Sequence, residues 1–271
     1  MEEMILRRLT TLGHAQRMGV FRLLARRYPD AVPAGEIGEI LGIKPSTLSV
    51  YLSALKSVGL VSQDRHGTSL HYQAEIGAVQ GVMDYLLMDC CRGRPEMCST
   101  ITPRLPTDRK LNALFICSAN SARSIFAEAI LKREAGELFN VYSAGTRPGK
   151  GLNPVAVDML KDKGYDVSDL TSQGLEVYQG EDAPVMDFVF TVCDQAANED
   201  CPAWKGQPIS AHWGVPDPVK ATGTEAERTL AFQNAYGMLR NRILAFSALP
   251  FDTLDRSSLQ HRVDELALQK D

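Results

Sequence analysis

The stretch LFICSANSARSIFAEAIL, residues 114–131, constrains the fold most. It places the pattern C-x5-R-S, from Cys117 through Arg123 to Ser124, between an apolar strand-like run and a helical run. The backbone N–H groups of such a loop and the helix N-terminus converge on one point, where they bind a tetrahedral oxyanion and favour the thiolate of a cysteine. Arg123 adds a planar fork of donors. The pattern predicts an oxyanion site with a nucleophilic cysteine, although a buried structural cysteine beside a surface arginine is an alternative.

Strand-like runs alternate with helical runs after this point: LFIC, NVYSAG and DFVFTVC are separated by helical patterns. Alternation of this kind predicts a parallel sheet with helices on both faces. A chain of 271 residues is long enough for two domains. We therefore predict a fold in four parts: a mainly α domain at 1–98, a linker at 99–110, an α/β domain with the C-x5-R oxyanion loop at 111–250, and a helical tail at 251–271.

Composition supports a globular protein without membrane segments. Hydrophobic residues make up 44% and charged residues 23%, and no run approaches the roughly 20 apolar residues of a membrane helix. The start, MEEMILRRLT, does not resemble a secretion signal, so we expect a cytoplasmic protein in which thiols stay reduced. Residues 1–110 carry 14 Lys and Arg against 11 Asp and Glu, a mildly basic balance that is compatible with DNA binding.

The segment EIGEILGIKPSTLSVYLSALKSVGLV predicts a helix-turn-helix. A short helix at about 34–41 ends at Gly42, and a second helix begins after Pro45. Its core-facing side is predicted at Leu48, Leu52 and Leu55. The outer face, where a recognition helix meets DNA, is predicted to contain Ser46, Thr47, Ser49, Val50 and Tyr51. Helical pairs also build plain cores, so the motif alone does not establish DNA binding.

A hairpin is predicted in LVSQDRHGTSLHYQ, with its turn at His66-Gly67 and Arg65 as a phosphate contact. The order of helix pair, helix-turn-helix, hairpin wing and closing helix (about 75–91) resembles the ArsR family of winged-helix regulators across residues 1–98. The resemblance implies a homodimer, formed by the first and last helices, that binds a palindromic operator. Val50-Tyr51 stand where many members have Arg-His, so the operator sequence does not carry over.

Two further stretches extend the oxyanion motif. HWGVPDPVKATG places Asp217 in a loop, where a carboxyl group could act as a general acid. TVCDQAANEDCP places Cys193 at a strand end and Cys201 across a polar loop. With the C-x5-R-S pattern, these stretches resemble the thioredoxin-coupled arsenate reductases, which share their fold with low-molecular-weight tyrosine phosphatases, over residues 111–247. A phosphatase needs no additional thiols, so Cys193 and Cys201 favour the reductase.

The resemblance implies a thiol relay. Cys117 attacks arsenate held by Arg123 while Asp217 protonates the leaving hydroxyl. Cys193 then attacks Cys117 and releases arsenite, Cys201 resolves the disulfide, and thioredoxin or a similar dithiol resets the enzyme. A structural disulfide between Cys193 and Cys201 is the alternative.

Supporting residues carry over by position from the same family. The oxyanion loop is expected to use Ser118, Asn120, Ser121 and Ser124. Asn120, Glu128 and Ser143 match a potassium site of some members, and no tightly bound cofactor is expected. Ala119 replaces a family glycine and is expected to narrow or reshape the pocket, whereas Ala122 replaces a second cysteine at a position where many reductases have alanine, so it does not remove the relay.

Three cysteines remain in CCRGRPEMC: Cys90, Cys91 and Cys98. Three soft thiolates suit trivalent arsenic, and some ArsR-type regulators carry an arsenite site here. Packing of these three cysteines as small hydrophobic side chains is the alternative.

For the whole chain we expect an arsenite-responsive repressor fused to an arsenate reductase. The alternatives are a tyrosine phosphatase with a regulatory DNA-binding domain, or a repressor with an inactive oxyanion-binding domain.

Overall fold

The computed structural model describes residues 2–87, 105–199 and 204–268. The chain divides into two compact units, Met1–Ile101 and Thr102–Asp271. The predicted arsenite ligands Cys90, Cys91 and Cys98, and the resolving Cys201, lie outside the described residues. No helix of the described ranges is long and apolar enough to cross a membrane.

The first unit contains five helices and three strands in its described part. In chain order these are α1 (Glu2–Leu12), α2 (Ala15–Arg27), β1 (Val32–Pro33), α3 (Ala34–Leu41), α4 (Pro45–Ser57), β2 (Val61–His66), β3 (Ser69–Ala74) and α5 (Ile76–Tyr85).

The helices α3 and α4 lie where the sequence predicts them. Gly42, at φ 63°, ends α3 in the left-handed conformation that glycine adopts without strain. Pro45 occupies the first turn of α4, where its missing N–H is not needed. On α4 the predicted core positions are all buried: Leu48, Leu52 and Leu55.

The strands of this unit form an antiparallel sheet in the order β1-β3-β2. The hairpin of β2 and β3 is present, but its turn is one residue later than predicted. His66 pairs with Ser69, which leaves Gly67 and Thr68 as the turn, and Gly67 has φ 62°. A two-residue turn of this kind needs a positive φ, and glycine provides it.

The second unit is an α/β domain. Its elements are β4 (Leu111–Cys117), α6 (Arg123–Ala135), β5 (Phe139–Gly145), α7 (Pro154–Asp162), β6 (Phe188–Thr191), α8 (Asp194–Asn198), β7 (Ile209–His212), α9 (Glu225–Ser247) and α10 (Arg256–Leu268).

The four strands in the described part of this domain run parallel in the order β5-β4-β6-β7, so the predicted parallel sheet is confirmed. Every residue of β4 is buried, as expected of a central strand in a parallel sheet. β7, a four-residue strand at the sheet edge, was not predicted from the sequence.

The C-terminal tail packs on this domain. Leu259, Val263 and Leu266 of α10 are buried in its core. The Gln260 amide also donates to the Ser210 carbonyl and accepts from the Ser210 N–H, so it satisfies the backbone of β7 at the sheet edge. The predicted helical tail is therefore part of the α/β domain's core.

Candidate active site

Cys117 is the last residue of β4, and Arg123 is the first residue of α6, so the five residues between them form a loop at the carboxyl end of the sheet. The Cys117 side chain is buried as a free thiol. Its Sγ accepts a hydrogen bond from the Asn120 N–H at 3.1 Å and lies 3.0 Å from Ser124 Oγ. Ser124 Oγ accepts from Asn120 Nδ2, which leaves its own hydrogen free to point at the sulfur.

The outer side of the loop is hydrogen-bonded to the segment that follows β5. The carbonyls of Cys117, Ser118 and Ala119 accept from the backbone N–H groups of Thr146, Arg147 and Gly149 at 2.8–3.0 Å, and Asn153 N–H donates to Ser121 O. Each peptide carbonyl points away from the N–H of the same peptide group, so these bonds direct the loop N–H groups inward. The loop thereby acquires the inward N–H groups of an anion-binding nest.

Gly145 permits this close approach. A Cβ atom at residue 145 would lie 2.8 Å from the Ser118 carbonyl oxygen and 3.1 Å from Asn120 Cβ. Only glycine leaves room for the loop at this distance. Gly145 was not predicted as a site residue, because one glycine at a strand end carries no signal of what packs against it.

Asn120 adopts φ 48°, a left-handed conformation that asparagine tolerates better than most residues. Its Nδ2 donates to Ser124 Oγ at 2.9 Å and to Ser143 Oγ at 2.7 Å, and its Oδ1 accepts from the Gln173 N–H at 2.7 Å. Asn120 therefore joins the loop, α6 and β5. Gln173 was not expected from the sequence.

The structure brings together Arg123 and Asp217, which are 94 residues apart in sequence. Arg123 Nη2 donates to Asp217 Oδ2 at 2.9 Å, and Nη1 donates to the Val215 carbonyl at 3.1 Å. The guanidinium is 10% exposed and the carboxylate 23% exposed, so the pair is largely shielded from solvent. Asp217 Oδ1 also accepts from Val219 N–H, which fixes the carboxylate at the start of a short 3-10 helix.

Cys193 follows β6 and is the N-cap of α8, where its Sγ accepts from the Ala196 N–H. Burial raises the pKa of this thiol, the Arg123 charge lowers it, and the Cys117 charge raises it. The Ser118 backbone N–H also lowers this pKa. Thr191 pairs with Ile116 in the parallel register of β6 and β4, so Cys193 and Cys117 follow adjacent strands at the same end of the sheet.

The prediction of a polar loop after Cys193 is wrong for residues 194–198, because these residues form α8. Ala196 and Ala197 are buried and hold this short helix against the domain. The stretch QAANED is short and mostly polar, so it shows no apolar periodicity from which this helix could be predicted.

The residues of the expected potassium site form a hydrogen-bonded cluster. Ser143 Oγ donates to Glu128 Oε2 at 2.7 Å, and Lys132 Nζ donates to Glu128 Oε1 at 3.2 Å. Burial raises the pKa of Glu128, while Ser143 and Lys132 lower it. Asn120 faces Ser143 with its amide nitrogen, which cannot bind a cation. Glu128 already forms an ion pair with the Lys132 ammonium group. As arranged, these residues do not fit the oxygen-ligand set that a hard cation requires.

Of the residues expected to contact DNA, Ser46, Ser49, Val50 and Arg65 are exposed, while Thr47 and Tyr51 are half-buried. Tyr51 packs against the ring of His14 and donates its hydroxyl hydrogen to Gln16 Oε1 on α2. Tyr51 therefore contacts α2 as well as the outer face of α4.

Comparison with known proteins gives matches in the second unit. Residues 112–257 match the family model described as low molecular weight phosphotyrosine protein phosphatase. An arsenate reductase of Bacillus licheniformis is 38% identical over 138 residues, which are 51% of this chain and 96% of the relative. An arsenate reductase of Bacillus subtilis is 38% identical over 133 residues, 49% of this chain and 92% of the relative. A solved arsenate reductase in the phosphate-binding state is 26% identical, covers 51% of this chain and 97% of its own, and has a TM-score of 0.42.

Proposed function

Because the chain belongs to the low molecular weight phosphotyrosine protein phosphatase family, we propose that its α/β domain reduces arsenate to arsenite by a thiol relay. The observation that carries this proposal is Cys193, a second buried free thiol that follows β6, the strand paired in parallel with the strand that ends at Cys117. A phosphatase recovers its cysteine by hydrolysis, whereas a reductase needs a second thiol to supply electrons. The relatives named arsenate reductase support the same choice.

Arsenate binds in the Cys117 loop beside Arg123. There it competes with the Asp217 carboxylate for hydrogen bonds from the Arg123 guanidinium group. Its oxygens replace the carboxylate as acceptors because a tetrahedral dianion matches the planar donor fork. Asp217, released from the 2.9 Å ion pair, can then take up a proton and act as general acid.

Two nucleophilic displacements convert arsenate to arsenite, and the second one transfers the electrons. The Cys117 thiolate attacks arsenic, an S–As bond forms, and a hydroxyl leaves as water after protonation by Asp217. The Cys193 thiolate then attacks Cys117 Sγ, the S–S bond forms, and the S–As electron pair remains on arsenic. Arsenic passes from the +5 to the +3 state, and two thiols become one disulfide.

Cys201 completes the cycle by attacking Cys193, which frees Cys117 as a thiolate and leaves a Cys193–Cys201 disulfide. Thioredoxin or a similar dithiol reduces this disulfide by exchange. The Ala196 N–H, which donates to Cys193 Sγ at the start of α8, can stabilise the thiolate that leaves when this disulfide is reduced.

For the first unit we propose an arsenite-responsive, dimeric repressor. The α3–α4 pair followed by the β2–β3 hairpin supports a winged helix, and the exposed Ser46, Ser49 and Val50 support recognition of DNA by α4. Exposed apolar side chains on α1 and α5 support dimerisation through these helices: Met4, Leu6 and Met83 are 39%, 51% and 50% exposed.

Arsenite at Cys90, Cys91 and Cys98 would shift the dimer away from its DNA-binding state if that state binds arsenite more weakly. Fluorescence anisotropy with a labelled operator tests this proposal. Arsenite should release DNA from the wild type and not from a chain with these three cysteines changed to serine. Equal release from both chains would overturn it.

The reductase proposal is tested by arsenate-dependent NADPH oxidation with thioredoxin and thioredoxin reductase. We expect turnover in the wild type and its loss in Cys117→Ser, Cys193→Ser and Cys201→Ser. The chain with Cys90, Cys91 and Cys98 changed to serine is the matched control, and it should keep wild-type turnover. Phosphotyrosine hydrolysis that survives Cys193→Ser, without arsenate turnover in the wild type, would favour the phosphatase.

A further inference from the structure

His212 is the last residue of β7, and its ring is buried beside the segment that carries Cys193. Its Nδ1 lies 2.8 Å from Thr191 Oγ1, and its Nε2 lies 3.1 Å from Asp194 Oδ1. The side chain is completely shielded from solvent, whereas that of Asp194 is 58% exposed. A carboxylate only accepts, so Nε2 carries a hydrogen and donates to Asp194.

The two partners of His212 flank the relay cysteine on both sides. Thr191 ends β6, directly opposite His212 in the parallel register, and Asp194 is the first residue of α8. Only Val192 and Cys193 lie between them. The imidazole thus connects both ends of a four-residue turn, and the turn positions the Cys193 sulfur.

Backbone contacts hold both ends of this segment, since Ala197 N–H also donates to the Cys193 carbonyl, and the His212 ring adds a side-chain link across Cys193. Val192 N–H donates to Ile116 O, and Trp213 N–H donates to Thr191 O, so residues 191 and 192 are held by both neighbouring strands. The ring of His212 joins this fixed part to Asp194, immediately after Cys193.

Gly214 leaves the space that the histidine–aspartate contact occupies. A Cβ atom at residue 214 would lie 2.8 Å from His212 Nε2 and 3.0 Å from Asp194 Oδ1. A methyl group there would separate the two side chains without removing either of them.

We infer that His212 is a positioning residue for the Cys193 thiol, acting through Thr191 and Asp194 to hold that sulfur toward Cys117. This inference rests on the proposed function, because Cys193 is the thiol that the relay uses. It assigns His212 no contact with arsenate.

The test measures the effective concentration of Cys193 toward Cys117 without arsenate. Full-length chain with Cys201→Ser is equilibrated with oxidised and reduced dithiothreitol. Two thiols become a disulfide as oxidised dithiothreitol gains both electrons and both protons, and peptide mass mapping quantifies the Cys117–Cys193 disulfide.

Two pairs of variants in this background separate positioning from folding. Asp194→Ala and Gly214→Ala should each lower the effective concentration about tenfold, because a thiol displaced by a fraction of an ångström loses its alignment. Asp194→Asn should remain within about twofold of the parent, since its amide oxygen accepts the same hydrogen bond. Gly237→Ala is the matched control, because a Cβ atom there meets no atom within 4 Å.

In the corresponding chains with Cys201 retained, Asp194→Ala should lower kcat and leave the KM for arsenate unchanged. Unchanged effective concentration in Asp194→Ala and Gly214→Ala would overturn the inference, as would equal losses in Asp194→Ala and Asp194→Asn. A parent chain that forms no Cys117–Cys193 disulfide also overturns it. The effective concentrations can follow the expected order among the variants while the protein forms no arsenite from arsenate. In that case the positioning role of His212 stands and the reductase proposal fails.

Discussion

Substitution of Gly145 by alanine should damage the active site with little change in the rest of the fold. The new Cβ would lie 2.8 Å from Ser118 O and 3.1 Å from the Ala119 carbonyl carbon. An unstrained contact needs roughly 3.5 Å, so the loop must retreat by about 0.7 Å. Ser118 and Ala119 are backbone neighbours of Cys117, and a rotamer change cannot relieve the clash.

A displacement of this size should lower kcat for arsenate by about tenfold to a hundredfold, because misplacement of reacting groups by 1 Å costs about that much. The free energy of unfolding should fall by about 1–3 kcal/mol, as in other overpacked sites. The assays are coupled arsenate turnover and urea unfolding of the same preparations.

The control for this prediction is Gly180→Ala, where a Cβ atom meets nothing within 4 Å. It should retain wild-type turnover. Turnover of Gly145→Ala within twofold of wild type would refute the argument that glycine at residue 145 sets the loop position.

Three further predictions concern other contacts. Ser143→Ala removes a partner from both Asn120 and Glu128, and should lower the free energy of unfolding by about 1–3 kcal/mol in urea; an unchanged midpoint would contradict this. Burial raises the pKa of Asp264 to about 6, so its ionisation destabilises the fold as pH rises from about 4 through 6. Asp264→Asn should therefore stabilise the protein above pH 6 by about 1 kcal/mol, allowing for solvent screening, and have little effect at pH 4 by thermal unfolding. Arg65→Ala should reduce the slope of log affinity for DNA against log salt by about 1 if it neutralises one phosphate, and an unchanged slope would exclude that contact.

The sequence predicted the elements that repeat a strong local pattern. The apolar run before Cys117 predicted β4, and the spacing of Leu48, Leu52 and Leu55 predicted the buried side of α4. The prediction that Arg123 and Asp217 belong to one site followed from a family resemblance, because local periodicity carries no information about contacts across 94 residues.

The sequence did not predict features that depend on tertiary neighbours. β7 has only four residues and lies between loops, so its pattern is too short to detect. Gln173 and Gly145 support the loop through contacts distant in sequence, and the amide orientation of Asn120 decides whether its cluster offers oxygen or nitrogen. Such details depend on the packed structure and have no counterpart in residue spacing.

The most direct test of the thiol relay traps its first disulfide. Full-length Cys201→Ser protein, fully reduced and freed of external thiol, is mixed with arsenate, and peptide mass mapping without reductant is combined with arsenite quantification. We predict one Cys117–Cys193 disulfide for each arsenite released, and neither product in Cys193→Ser. Arsenite released without this disulfide, or no arsenite from either protein, would contradict the relay.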